Sequence, residues 1–101
     1  MSEGREPVVL VATFRAKPET WGELRDRLEK LVVATLAEPG CVRYELHADV
    51  HDPHRFVFVE EWADADALAA HNRSEHLQAL LADVSRLTAE TPAVNQLRRI
   101  A

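Results

Sequence analysis

The spacing of apolar residues in this chain switches abruptly from helical to strand-like, and that switch limits its possible folds more than any other feature. Trp21, Leu24, Leu28, Leu31 and Thr35 recur at steps of three and four with charged residues between them, which predicts a helix over about Glu19 to Ala37. Pro18 suits the first helical position, and Glu38-Pro39-Gly40 stops the helix because proline cannot continue the ladder and glycine accepts the left-handed turn. From Cys41 the period is two, with Val42, Tyr44, Leu46 and Ala48 on one side and Arg43, Glu45 and His47 on the other, a half-exposed strand. The turn-forming stretch Asp49 to His54, containing Asp52-Pro53, leads into a third apolar run, Arg55 to Trp62. So short a connection makes the two strands an antiparallel hairpin.

Before the helix, Val8 to Arg15 reads as a strand whose alternating sets are Val8, Leu10, Ala12, Phe14 and Val9, Val11, Thr13, Arg15, so both faces are at least partly covered. After the hairpin, Asp64 is placed to cap a short Ala-rich helix through about His71. Ser74 with Glu75 then starts a fresh helix whose stripe is Leu77, Leu80, Leu81, Val84 and Leu87, leaving Asn72-Arg73-Ser74 as a break. Beyond Thr91-Pro92, Ala93 to Ile100 alternates weakly and is assigned to a last strand. The order β-α-β-β-α-(α)-β specifies an α+β fold, the ferredoxin-like split β-α-β, with a four-stranded antiparallel sheet and its helices on one face. Residues 1–7 are expected to be a flexible N-terminus and residues 8–101 a single domain. The other sheet face is left bare, and a second copy packing sheet to sheet, a homodimer, is its simplest cover.

Charge and composition exclude several function classes. A net charge of -5 without a cluster of Lys or Arg argues against nucleic acid and anionic membrane as partners, and no apolar run approaches the ~18 residues of a spanning helix. The single Cys41 precludes an intramolecular disulfide and reads as packing, and the start Met-Ser-Glu-Gly-Arg-Glu lacks the apolar core of a secretory signal, so a cytoplasmic location is expected. The chain has three glycines and none of the Gly-rich, nucleophile-elbow or C-x-x-C motifs, so nucleotide and flavin cofactors are not expected.

Glu60 and Trp62 lie two apart on a strand and leave the same face as Phe56 and Phe58. Buried among aromatics, Glu60 would take a raised pKa and exchange a proton with a phenolic group, with Trp62 as a flat wall beside the ring. The competing reading pairs Glu60 with Arg98 or Arg99 and makes Trp62 core. His71 and His76 are five apart, about 140° on an unbroken helix, so they are no zinc-binding i, i+4 pair, and spacing supplies no third ligand. The break lets both rings approach one pocket mouth, where a neutral imidazole is the natural base for a phenol; the alternative is a helix cap or a backbone bond at the kink. Asn72 either binds substrate or shapes the break. Tyr44 belongs to the apolar set of its strand, Thr13 and Arg15 face a ligand or a partner subunit, and His47, His51 and His54 are read as solvated.

Three sets of residues resemble a known family, the antibiotic biosynthesis monooxygenase domains of the dimeric α/β-barrel superfamily. They are Glu38-Pro39-Gly40-Cys41 before Tyr44, Phe58-Val59-Glu60-Glu61-Trp62 closing the third strand, and Ala67-Leu68-x-x-His71 followed by Ser74-x-His76. The resemblance spans roughly residues 8 to 100. It implies a homodimer with a small pocket in each subunit between sheet and helices, and a cofactor-independent monooxygenase acting on a small aromatic quinol-like or polyphenol substrate with molecular oxygen as co-substrate and no metal. His71, His76 and Glu60 would then be the catalytic groups, and Trp62, Phe58, Tyr44, Thr13 and Asn72 the substrate contacts. Heme-degrading members carry an Asn in the first strand with a Trp and a His in the later helices, whereas this chain has no Asn near Thr13 and no Trp after residue 62. An isomerase of a small carbonyl compound and a non-catalytic ligand-binding dimer are the alternatives on the same fold.

Overall fold

The computed structural model describes residues 5–101. The expected flexible start therefore falls mostly on residues 1–4, which lie outside the described residues. The elements are β1 (Val8–Arg15), α1 (Trp21–Leu36), β2 (Cys41–Asp49), β3 (Asp52–Trp62), α2 (Ala65–Asn72), α3 (Glu75–Ala82), α4 (Val84–Leu87) and β4 (Ala93–Leu97). The strands form one sheet in the order β2-β3-β1-β4, with every neighbouring pair antiparallel. This is the ferredoxin-like arrangement expected from the alternating periods.

Alternation along β1 divides the two faces. Val8, Leu10, Ala12 and Phe14 are buried, and they form one core with Phe56, Phe58 and Trp62 of β3, Leu24, Leu28 and Leu31 of α1, Leu80 of α3 and Leu87 of α4. Phe14 meets Phe58 edge to face with ring centroids 5.8 Å apart, a favoured aromatic geometry. On the far face Val9, Val11, Thr13 and Arg15 alternate with these and stay half-buried, as do Val57 and Val59 of β3. β4 is exposed along its whole length.

Four details depart from the sequence expectation. Pro18 opens a 3-10 turn over Pro18–Thr20 and the α-helix proper starts at Trp21. Its indole Nε1 donates to the Pro53 carbonyl at 2.6 Å, tying the start of α1 to the start of β3. The hairpin turn is Val50-His51 rather than the Asp52-Pro53 stretch: Asp49 pairs with Asp52, and the Asp49 carboxylate accepts from the His51 amide at 2.8 Å. Pro53 is tolerated near the strand start because β1 pairs with β3 only from Arg55 onward. Val42, placed by alternation with Tyr44 and Leu46, is 59% exposed, because a bulge between Cys41 and Arg43 inserts it as an extra residue opposite Glu61 and Trp62. The last strand ends at Leu97 rather than Ile100.

The first two helix starts after the hairpin have the expected caps, while the helix begun at Ser74 breaks at Asp83 and α4 starts there without a side-chain cap. The Asp64 carboxylate accepts from the Ala67 amide at 2.8 Å, and Ser74 Oγ accepts from the Leu77 amide at 3.3 Å. The break between α2 and α3 is thus a designed joint in hydrogen-bond terms, since Ser74 Oγ also donates to the His71 carbonyl at 2.7 Å.

Candidate functional site

The core face of the sheet meets the α2–α3 joint in a cavity of about 330 Å³. Its walls are apolar side chains of β1, β3 and α3 into which Tyr44, Glu60, His71 and Asn72 bring polar atoms. An apolar hollow with a few convergent polar groups is the usual form of a small-molecule site. A second, larger cleft of about 490 Å³ lies between α1 and β2, but its charged residues are paired, Arg25 with Glu29 at 2.9 Å and Glu45 with Arg43 at 3.0 Å. The titratable chemistry gathers in the smaller cavity.

Strand period two puts Phe58, Glu60 and Trp62 on that face. Glu60 is 5% exposed and Trp62 is fully buried, and the indole Nε1 donates to Glu60 Oε1 at 3.0 Å. Burial pushes the Glu60 carboxyl above its ordinary range, opposed by the Trp62 N–H and by His71. Among the described residues no ion pair joins Glu60 to Arg98 or Arg99, so the competing reading of a salt-bridged Glu60 is set aside. Trp62 is not part of the cavity wall: it lies behind it, with its ring centroid 4.6 Å from that of His71. Its place is to hold Glu60 and back His71 rather than to present a flat surface to a ligand.

Tyr44 stands across from these groups, its ring 4.7 Å from Phe58 and 5.4 Å from His71. Burial, reinforced by the nearby Glu60 carboxyl, pushes its hydroxyl well above the ordinary phenol range, so it is a neutral hydroxyl at any working pH. The Cys41 thiol is also pushed up, by burial and by Glu38 and Glu60, in keeping with a packing role rather than a nucleophile.

The two histidines converge, but on a carboxylate that the sequence did not nominate. Glu38 stands just past the C-terminus of α1, and its Oε2 lies 2.7 Å from His71 Nδ1 and 2.6 Å from His76 Nε2. His71 is 3% exposed and lines the cavity. His76 is not a wall of that cavity; its side chain, 30% exposed, borders a shallow depression between α1 and α3. The expectation of two rings at one pocket mouth is corrected accordingly: one ring faces the cavity and the other faces outward. Glu38 carried no local signal beyond its place in the helix-stopping tripeptide, because its partners lie 33 and 38 residues away in the chain.

Glu38, His71 and His76 also form a candidate metal set, with ligand atoms within 4.8 Å of one another, so the third ligand missing from the spacing argument is supplied by the fold. Two ligands of one tetrahedral zinc, each about 2.0–2.1 Å from the ion, stand about 3.3 Å apart. The 2.6 and 2.7 Å contacts here are shorter than that and match hydrogen-bond lengths. Thr13 pairs with Val57 and Ala93 on the far face of the sheet, where its side chain does not reach the cavity; the strand's alternation puts Ala12, not Thr13, in the wall. Asn72 does line the cavity, and its carbonyl accepts from Gln78 Nε2 at 2.7 Å across the helix break.

Comparison with known proteins agrees with this fold. The family model described as antibiotic biosynthesis monooxygenase matches residues 7–83. A protein of Bacillus subtilis that bears the name "Putative monooxygenase YcnE" is 35% identical over 75 residues, 74% of this chain and 79% of its own length. The structure of PA3566 from Pseudomonas aeruginosa superposes with a TM-score of 0.89 at 35% identity, covering 99% of this chain and 100% of that one. The structure of Rv0793 from Mycobacterium tuberculosis gives the same TM-score of 0.89 at 29% identity, covering 95% and 97%.

Proposed function

This chain belongs to the antibiotic biosynthesis monooxygenase family, and from that premise we propose that it is a monooxygenase of a small aromatic, quinol-like compound that works without a bound cofactor. One observation carries the reading: a buried histidine fixed on one nitrogen by a carboxylate, lining with a buried carboxyl and a tyrosine ring an apolar cavity of about 330 Å³. Such a cavity accepts a ring of one or two cycles.

In the reaction His71 takes the phenolic proton of the substrate, general-base catalysis of a kind that contributes about 10²–10⁴-fold. The phenolate is electron-rich enough to react with O2 directly. One oxygen atom remains on the ring as a carbonyl and the other leaves as water, with the substrate supplying all the electrons, so no external reductant enters the balance. Glu60, whose burial favours the protonated form, donates a hydrogen bond to the oxygen on which charge develops. Tyr44 and Phe58 set the ring plane. The apolar walls lower the local dielectric and so strengthen each of these polar contacts.

The half-buried valines on the far face of the sheet support a homodimer as the working form. Val9, Val11, Val57 and Val59 stand side by side there, and beside them β4 is fully exposed. Two copies packed through these faces would remove that apolar surface from water.

The test is oxygen uptake by purified, metal-stripped protein across a panel of quinols and polyphenols. Uptake well above autoxidation that falls about 10²–10⁴-fold in His71→Ala supports the reading. Turnover of a carbonyl compound without oxygen consumption replaces it with the isomerase, and tight ligand binding without turnover replaces it with a binding dimer.

A further inference from the structure

We propose that Glu38 is the positioning residue of this site: through its single oxygen Oε2 it holds His71 and His76 in opposite tautomers and thereby makes His71, not His76, the base. The inference rests on the proposed function for its catalytic meaning, but not for its geometry.

A carboxylate is an acceptor, so each imidazole nitrogen that faces it carries the proton. Oε2 is 2.7 Å from Nδ1 of His71 and 2.6 Å from Nε2 of His76. In the neutral rings His71 is therefore the Nδ1–H form with a bare Nε2, and His76 is the Nε2–H form with a bare Nδ1. Which nitrogen of a histidine is protonated is set by the bond the other one makes, and here one atom sets both. His71 lines the cavity while its Nδ1 is occupied, so Nε2 is the nitrogen left for a substrate. His76 gives its Nε2–H to the same oxygen and lies outside the cavity wall, so it steadies the carboxylate from the outer side.

The positions are held from several directions. Glu38 sits in the chain reversal that follows α1, where its amide donates to the Thr35 carbonyl at 2.9 Å and its carbonyl accepts from the Cys41 amide at 3.2 Å. Its side chain is 13% exposed, and its side-chain hydrogen-bond partners among the described residues are the two histidines. The α2–α3 break does the rest. On a continuous helix residues five apart diverge by about 140°, whereas the turn capped by Ser74 lets both rings reach one oxygen, their centroids 6.1 Å apart. A proton arriving on His71 Nε2 leaves an imidazolium whose Nδ1–H is already paired with the carboxylate, so its charge meets a compensating group in the buried site.

The experiment reads tautomers directly, by long-range ¹H–¹⁵N NMR of the histidine rings in the ligand-free, metal-stripped protein. The expected result is His71 as Nδ1–H and His76 as Nε2–H in the wild type, with the opposition lost in Glu38→Met, where no acceptor remains, while the backbone spectrum stays dispersed. His71 found as Nε2–H in the wild type overturns the proposal, as do ring signals unchanged by Glu38→Met. The wild-type spectrum decides even where that variant does not fold. No substrate is involved, so oxygen uptake absent across every quinol, with the opposed tautomers present, overturns the oxygenase reading and leaves the role of Glu38 standing. Uptake with His71 in the other tautomer does the reverse.

Discussion

At the scale of single residues, the site separates groups that sequence alone left equivalent. His71→Ala removes the base and should lower turnover about 10²–10⁴-fold, whereas His76→Ala only loosens Glu38 and should cost about 10- to 100-fold, the range of a misplaced catalytic group; the two rate constants measured side by side check the division. Glu60 allows a prediction about stability. Its folded-state pKa is raised above the ordinary 4.5 by burial, so its contribution to stability is fully present below pH 4.5 and is lost as pH rises through the folded value. Glu60→Gln cannot ionise, and should therefore gain stability relative to wild type as pH rises above 4.5, levelling off once the folded-state carboxyl has ionised. The slope of the difference is at most about 1.4 kcal/mol per pH unit, and urea unfolding at several pH values measures it. Glu60 and His71 were legible in the sequence because strand alternation and the helix break expose their positions, whereas Trp62 was read as a wall and lies behind it. Glu38 was not, because nothing local distinguishes a carboxylate that ends a helix from one that reaches two histidines.

The joints between elements carry the site, and Gly40 is the tightest of them. It has φ +82°, and a Cβ there would lie 2.5 Å from Cβ of Ala67 on α2. The left-handed backbone costs a non-glycine residue about 1–2 kcal/mol, and the overlap adds about 1–3 kcal/mol. Gly40→Ala should therefore be less stable by about 2–5 kcal/mol, and adding Ala67→Gly should recover the steric part but not the backbone part, as thermal unfolding of the three variants would show. Because Gly40 brings α2 against the turn that holds Glu38, the same substitution should disturb the His71 ring before it unfolds the sheet. The element order and both caps, Asp64 and Ser74, followed from local chemistry. The bulge at Val42 and the turn at Val50-His51 did not, since register is decided by which residues of the partner strand lie opposite.

For the whole molecule the open question is the uncovered sheet face. The domain has helices over one face only, while Val11 and Val59 pair directly across β1 and β3 on the other. We expect a native mass of twice 11.4 kDa by light scattering, and a shift to the single-chain mass in Val11→Glu, where a charge would be forced into the apolar contact. A wild-type protein that runs as a stable monomer would remove this prediction. Among the described residues no helix is long and apolar enough to cross a membrane, and the acidic balance remains an argument against a phosphate backbone as partner. The sequence by itself determined the element types, their order and the faces of the strands, because periods of 3.6 and 2 and the capping residues act over a few neighbours. Tertiary structure decided which side chains share the cavity: it opened the cavity on the face away from Thr13, put Trp62 behind the wall, and joined Glu38 to His71 and His76 across 33 and 38 residues. Contacts at that separation are set by how helices pack on the sheet, and no local spacing encodes them.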